Sequence, residues 1–320
     1  MLSIQPLTED SYPVALIKEV AGNQKVRETV YYTEPSRTFK KQKEPFDSQI
    51  RGYLADSPAP LPGATLLDNT KYAFEMVPTI GSDKNPRFIN YLLAPSNSGK
   101  SFQIASLCKR YLQQFPDNLI AYASANPLEN DKNYDEIRDK IKEVDVLNLE
   151  STIDFKLPEY HNSLWIFDDC DSGFSVTMED LDKRLTPEEL EKLSVTDKVK
   201  AVKMLKAKCE SASEWVGKSI QSFMMNGRKF SESLCIVAHK PNGGTFENKI
   251  VGEATGVVLF PASIKKNLLA EFIQKKLSFE KAQAEELMKR IEWFQYDFLF
   301  ISHRTSRPFV ITNELIKIYD

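Results

Sequence analysis

Two short stretches hold residue types that could do chemistry together: LLAPSNSGKS (92–101) and LWIFDDCD (164–171). The first fits the spacing G-x-x-x-x-G-K-[S/T], with Ala94 where the opening glycine would stand and Gly99, Lys100 and Ser101 closing it. Such a loop wraps backbone N–H groups around phosphate oxygens, adds a cation, and offers a hydroxyl to a metal. Ser96, Asn97, Ser98, Gly99, Lys100 and Ser101 are therefore the candidate ATP-binding residues. Gly99 lets the chain approach the phosphates without a Cβ. Lys100 would reach the β- and γ-phosphates, and Ser101 would ligate Mg²⁺ beside the positive end of a helix. Pro95 has no N–H, but the later loop residues supply the donors that matter most.

The second stretch ends an apolar run in two carboxylates, 67 residues after Ser101. Asp168 would hold Mg²⁺, directly or through water, and Asp169 would polarise the attacking water. Aspartate is one methylene shorter than the glutamate common at that second position, so the water must sit closer. The plain alternative is a pair of strand-end acids capping a turn. His239 closes LCIVAHKP and would sense the γ-phosphate; it can equally be an ordinary loop histidine. Arg228 in MMNGRKFSES would act as an arginine finger on a neighbour's nucleotide, or merely decorate a helix end.

These residues need strands and helices to bring them together. FINYLLA (88–94) reads as a buried strand and residues 99–115 as a helix, with Phe102, Ala105, Cys108, Leu112 and Phe115 on one face. LIAYAS (119–124) is a strand, YDEIRDKIKEV (134–144) helical, and VDVLNL (144–149) a short strand. SLWIFDD (163–169), LCIVAH (234–239) and GVVLFP (256–261) are further strands. The helix SIKKNLLAEFIQKKL buries Ile264, Leu268, Leu269, Phe272 and Ile273, and another helix follows at about 279–292. YDFLFIS (296–302) and RPFVIT (307–312) form a closing pair. Strands alternating with helices predict an α/β fold with a parallel sheet covered on both faces.

A charged insertion spans about 172–228. TPEEL (186–190) reads as a helix-capping box, and Val195, Val199, Val202, Leu205 and Cys209 form an apolar stripe. Lys200, Lys203 and Lys208 lie off that stripe, either as a solvated face or, with Lys229, as DNA contacts. Residues 1–87 hold nine of the 17 prolines, which disfavours long helices. We expect extended segments there, including the strand VRETVYY, and a P-loop ATPase domain over 88–320.

The chain of 320 residues is acidic overall, 42 basic against 45 acidic residues, so any DNA contact must come from a local patch. Its four cysteines lie far apart, which excludes a zinc or disulfide framework and fits a reducing compartment. The N-terminus does not read as a signal peptide, and no stretch is apolar enough for a transmembrane segment.

In order, LLAPSNSGKS, IAYASANPLENDKNYDEI, LWIFDDCD, NGRKFSESLCIVAHKP, and VVLFPAS followed by KKNLLAEFIQKKL resemble one family. They are similar to the viral genome-packaging ATPases of large double-stranded DNA viruses and virophages, part of the FtsK–HerA superfamily. The ending FLFISHRTSRPFVI is similar to that family's closing β-hairpin. The resemblance covers roughly residues 88–312 and leaves the first 87 unexplained. It implies a RecA-like fold, a homo-oligomeric ring, and ATP-driven movement of double-stranded DNA into a preformed capsid. It also implies capsid or inner-membrane virion proteins as partners, in the host cytoplasm at a viral factory and in the virion. Ala94, Asp169 and His239 depart from the family pattern.

Other readings are another FtsK–HerA-type DNA pump, a P-loop small-molecule kinase, a GTPase, and a structural protein with a relic site. The insertion has few arginines for a kinase lid. AHKPNG and DDCDSG lack the guanine-reading N/T-K-x-D and the D-x-x-G of GTPases. The intact Gly99-Lys100-Ser101 and Asp168-Asp169 set argues against a relic.

Overall fold

The computed structural model describes residues 1–22, 24–34, 46–59, 61–77, 87–124, 128, 131–146, 160–168, 194–239, 245–290, 292–302 and 308–319. The first 87 residues supply β1 (Leu2–Ser3), β2 (Tyr12–Glu19), β3 (Val26–Tyr32), β4 (Ala64–Leu66) and β5 (Tyr72–Met76). Then come β6 (Ile89–Leu93), α1 (Lys100–Gln114), β7 (Ile120–Ser124), β8 (Ile141–Asp145) and β9 (Leu164–Phe167). A 32-residue helix α2 (Val195–Asn226) leads to β10 (Ser233–Ala238), α3 (Thr245–Glu253) and β11 (Gly256–Leu259). The chain closes with α4 (Lys266–Leu277), α5 (Lys281–Arg290), β12 (Leu299–Ser302), β13 (Phe309–Thr312) and β14 (Leu315–Ile318).

Ten strands form one sheet in the order β4-β14-β13-β12-β11-β6-β10-β9-β7-β8. The six from β11 to β8 run parallel; β12, β13, β14 and β4 join antiparallel. The parallel strands are nearly unbroken apolar runs because both faces are covered. Ile89, Tyr91, Leu93, Trp165 and Phe167 pack on one face against α2, α3, α4 and α5. Leu92, Ala94, Ile166, Cys235 and Val237 pack on the other, against α1 and the N-terminal strands.

Several sequence expectations need correcting. Residues 134–144 do not form a helix. Two 3₁₀ turns (Lys132–Tyr134 and Arg138–Lys140) precede β8, which takes Ile141–Asp145. Tyr134, Ile137, Ile141 and Val144 are buried. Pairing with β7 takes the backbone groups that a helix would have satisfied internally. On α1 the buried face is Ile104, Ala105, Leu107, Cys108 and Tyr111, and Phe102 is 50% exposed. On α4, Leu268 stands exposed while Leu277 is buried. The closing hairpin β12–β13 gains a third strand, β14, which the sequence reading lacked.

The capping box at 186–190 lies outside the described residues. The helix α2 is capped by Ser194, whose Oγ accepts from the Asp197 N–H at 3.2 Å. Of the expected stripe on its first half, Val199 is 47% exposed. The helix is held down further along, by Ala212, Val216, Ile220 and Phe223.

The N-terminal region forms a four-stranded antiparallel sheet, β1-β3-β2-β5, and lends β4 to the edge of the central sheet. Buried Glu75 on β5 ties it to α1. It accepts from Ser106 Oγ at 2.7 Å and pairs with Arg110 at 2.7 Å and Lys18 at 3.6 Å. Burial alone would raise the Glu75 carboxyl; Lys18 and Arg110 more than offset this and hold it below its usual value. Among the described residues no helix is long and apolar enough to cross a membrane.

Candidate nucleotide site

Residues 94–101 join β6 to α1 at the carboxyl end of the parallel strands. Ala94 is buried and donates its N–H to Ala238 O at 2.8 Å, as a continuation of the sheet. It is not among the residues with positive φ, so the missing glycine costs the loop nothing there. The left-handed positions are Asn97 (φ 62) and Gly99 (φ 92). Asparagine tolerates that region better than most side chains, and glycine is at ease in it. Gly99 then caps α1 with no side-chain acceptor at the helix start, the end that favours an anion. Ser98 Oγ is buried and has no hydrogen-bond partner among the described residues. Such an orphan hydroxyl in the loop fits a polar ligand.

β10 lies between β6 and β9 and is parallel to both. Their carboxyl ends therefore bring three sequence-distant residues together. Lys100 Nζ lies 2.8 Å from Asp168 Oδ1, with both side chains largely buried. His239 Nε2 lies 3.5 Å from the same ammonium. An ammonium only donates, so for this contact to be a hydrogen bond His239 must carry its proton on Nδ1. Ser101, in the first turn of α1, is half-buried.

Tyr122 on β7 was not singled out from the sequence. Its hydroxyl donates to Asp168 Oδ2. Burial, reinforced by the Asp168 charge, pushes the Tyr122 hydroxyl far above its usual pKa, so it remains a donor. The Tyr134 ring packs edge-on against it at 5.7 Å. The available signal was a tyrosine inside an all-buried strand, whose hydroxyl needs a polar partner.

Asp169 lies outside the described residues. Arg228 is exposed in the 3₁₀ turn Gly227–Phe230, before β10. That is the amino end of the sheet, opposite the phosphate loop, so within one chain it does not join the cluster. Lys200, Lys203 and Lys229 are exposed; the Lys208 side chain lies outside the described residues.

The set fits Mg²⁺ with a triphosphate: a hydroxyl, a carboxylate and an ammonium at the head of a helix. As it stands, the ammonium and the carboxylate neutralise each other. A metal–triphosphate would give each a new partner of the required sign.

No protein-family model matches the chain, and no curated protein does. Solved structures do. The DNA-packaging ATPase B204 from Sulfolobus Turreted Icosahedral Virus is similar at 14% identity and TM-score 0.42, over 71% of this chain and 98% of that one. The genome packaging NTPase B204 from Sulfolobus turreted icosahedral virus 2, in complex with AMPPCP, gives 16% and 0.42 over 71% and 98%. The pCW3 conjugation coupling protein TcpA, a monomer form with ATPgS, gives 11% and 0.38 over 95% and 77%. At these values the functional reading stands on the site itself.

Proposed function

We propose that the chain is an ATPase that drives double-stranded DNA, and that its cargo is a viral genome entering a capsid. The observation that carries the ATPase reading is the Lys100–Asp168 contact at 2.8 Å, formed between a phosphate-binding loop and an acid-tipped strand. Lys100 would neutralise the β- and γ-phosphates, with the N–H groups of residues 96–101 around them. Ser101 and Asp168 would hold Mg²⁺, which supplies further charge neutralisation when bound. Tyr122 fixes the Asp168 carboxylate, and His239 stands where a γ-phosphate would be felt. Asp169 would orient the attacking water.

The DNA part of the reading is supported by the ordered motifs across 88–312 and by exposed lysines at 200, 203 and 229. Arg228, far from its own chain's loop, suits a finger reaching a neighbour's site in a homo-oligomeric ring. Such a motor would work in the host cytoplasm, at a viral factory, against capsid or inner-membrane virion proteins, and would enter the virion.

The test is ATP turnover with and without long double-stranded DNA across a salt series. Stimulation that fades as salt rises is expected from phosphate-backbone tracking. Absence of any DNA effect at every salt would move the reading to a small-molecule kinase. Asp169→Asn should keep ATP binding and lose turnover.

A further inference from the structure

We infer that the turn at 293–297, together with Phe102, is the nucleobase subsite of the phosphate loop. This rests on the nucleotide reading above. Four large apolar side chains stand in solvent at this turn and at the cavity it lines: Val20, Phe102, Phe294 and Tyr296 are 45%, 50%, 63% and 57% exposed. Val20, Phe102 and Phe294 line one cavity of about 340 Å³, with Tyr72 and Trp293. That size lies within the roughly 300–1,000 Å³ of small-molecule sites, and exposed apolar clusters of this kind mark binding surfaces.

The turn is built to reach the loop. The Phe294 N–H donates to Asp297 Oδ2 at 2.8 Å, and the Asp297 N–H to Phe294 O at 3.1 Å. Between them Tyr296 is held at φ 75, a left-handed conformation unfavourable for a bulky aromatic. Strain of this kind persists where the surroundings enforce it, often at ligand clamps. Tyr296 Cδ1 lies 3.0 Å from the place a Cβ on Gly99 would occupy. Phe102, three residues beyond Gly99, faces the cavity from α1. A nucleotide with its phosphates on residues 96–101 thus finds aromatic faces beside its anchor, and a base gains by stacking on them.

The test is a calorimetric titration of the full chain with ATP and, separately, with inorganic tripolyphosphate, each with Mg²⁺. Phe294→Ala and Tyr296→Ala are expected to weaken ATP roughly tenfold or more, the effect of losing one stacked base. Tripolyphosphate binding should stay unchanged, and Phe294→Trp should retain ATP affinity. Equal weakening of both ligands would mean that the turn only props the loop, and no weakening would place the base elsewhere; either overturns the subsite. A Lys100→Ala chain that still binds tripolyphosphate would instead overturn the phosphate-loop reading. Thermal unfolding of each variant separates these outcomes from misfolding.

Discussion

Two buried acids sit on neighbouring strands at opposite ends of the sheet, and their surroundings differ. Asp168 follows β9 at the carboxyl end, with Lys100 on one oxygen and Tyr122 on the other. Glu232 precedes β10 at the amino end, and its Oε1 has no partner among the described residues. Arg87, the nearby cation, gives Nε–H to the Glu232 carbonyl at 3.0 Å and an Nη2–H to that of Phe223 at 2.9 Å. Burial therefore raises the Glu232 carboxyl to about 7 despite the pull of Arg87. A compensated acid stays charged and can trade its partner for a metal. An uncompensated one responds by holding a proton. Only the first environment suits nucleotide chemistry.

The comparison is broken most directly at Lys100. Lys100→Ala takes the cation from Asp168 Oδ1 and leaves the Tyr122 hydroxyl on Oδ2. Removing one partner of a buried pair costs about 3 kcal/mol at the low end, which applies at a site that opens to water. Urea unfolding measures this. Adding Asp168→Asn should recover most of the loss, because the charge that needed Lys100 is gone. A double variant as unstable as the single one would show that the pair contributes no electrostatic coupling.

Tyr122→Phe sharpens the same contrast with a smaller change. It removes the Oδ2 donor and keeps the ring that packs against Tyr134. A buried acceptor deprived of its donor costs about 1–2 kcal/mol. Stability should fall by that amount in a denaturant titration, and metal-dependent ATP binding should weaken because the carboxylate is less firmly aimed. An unchanged midpoint would show that Tyr122 only fills space.

Much of this site could be read from the sequence because each part is local. Gly99, Lys100 and Ser101 are contiguous, and an apolar run ending in Asp168 can be read in four residues. The position of His239 needed only the rule that a strand may insert between loop and acid. What resisted reading was non-local. Tyr122 meets Asp168 only because β7 and β9 pair, and Tyr296 meets Gly99 across almost 200 residues of chain. The segment 134–144 shows the limit of periodicity. Its pattern read as a helix, but β7 was there to pair, and spacing alone cannot reveal that. The nine prolines of the first 87 residues excluded long helices without revealing that β4 would close the edge of the central sheet.

The last expected effect lies at the other acid and takes the form of a pH dependence. The folded chain holds the Glu232 proton to about pH 7, against a usual value of 4.5. Folding therefore binds a proton that the unfolded chain would release between those values. This contribution to stability is fully present below pH 4.5 and is lost as pH rises through 7. Glu232→Gln presents an uncharged group of the same shape at every pH. The wild-type urea midpoint should decline from pH 5 to pH 8 more steeply than that of the variant, with the two converging at the acid end. Asp297, which burial also raises, adds a decline of the same sign to both chains, so it drops out of the difference. Parallel curves would mean that Glu232 finds a partner after all, and the two ends of the sheet would then treat their acids alike.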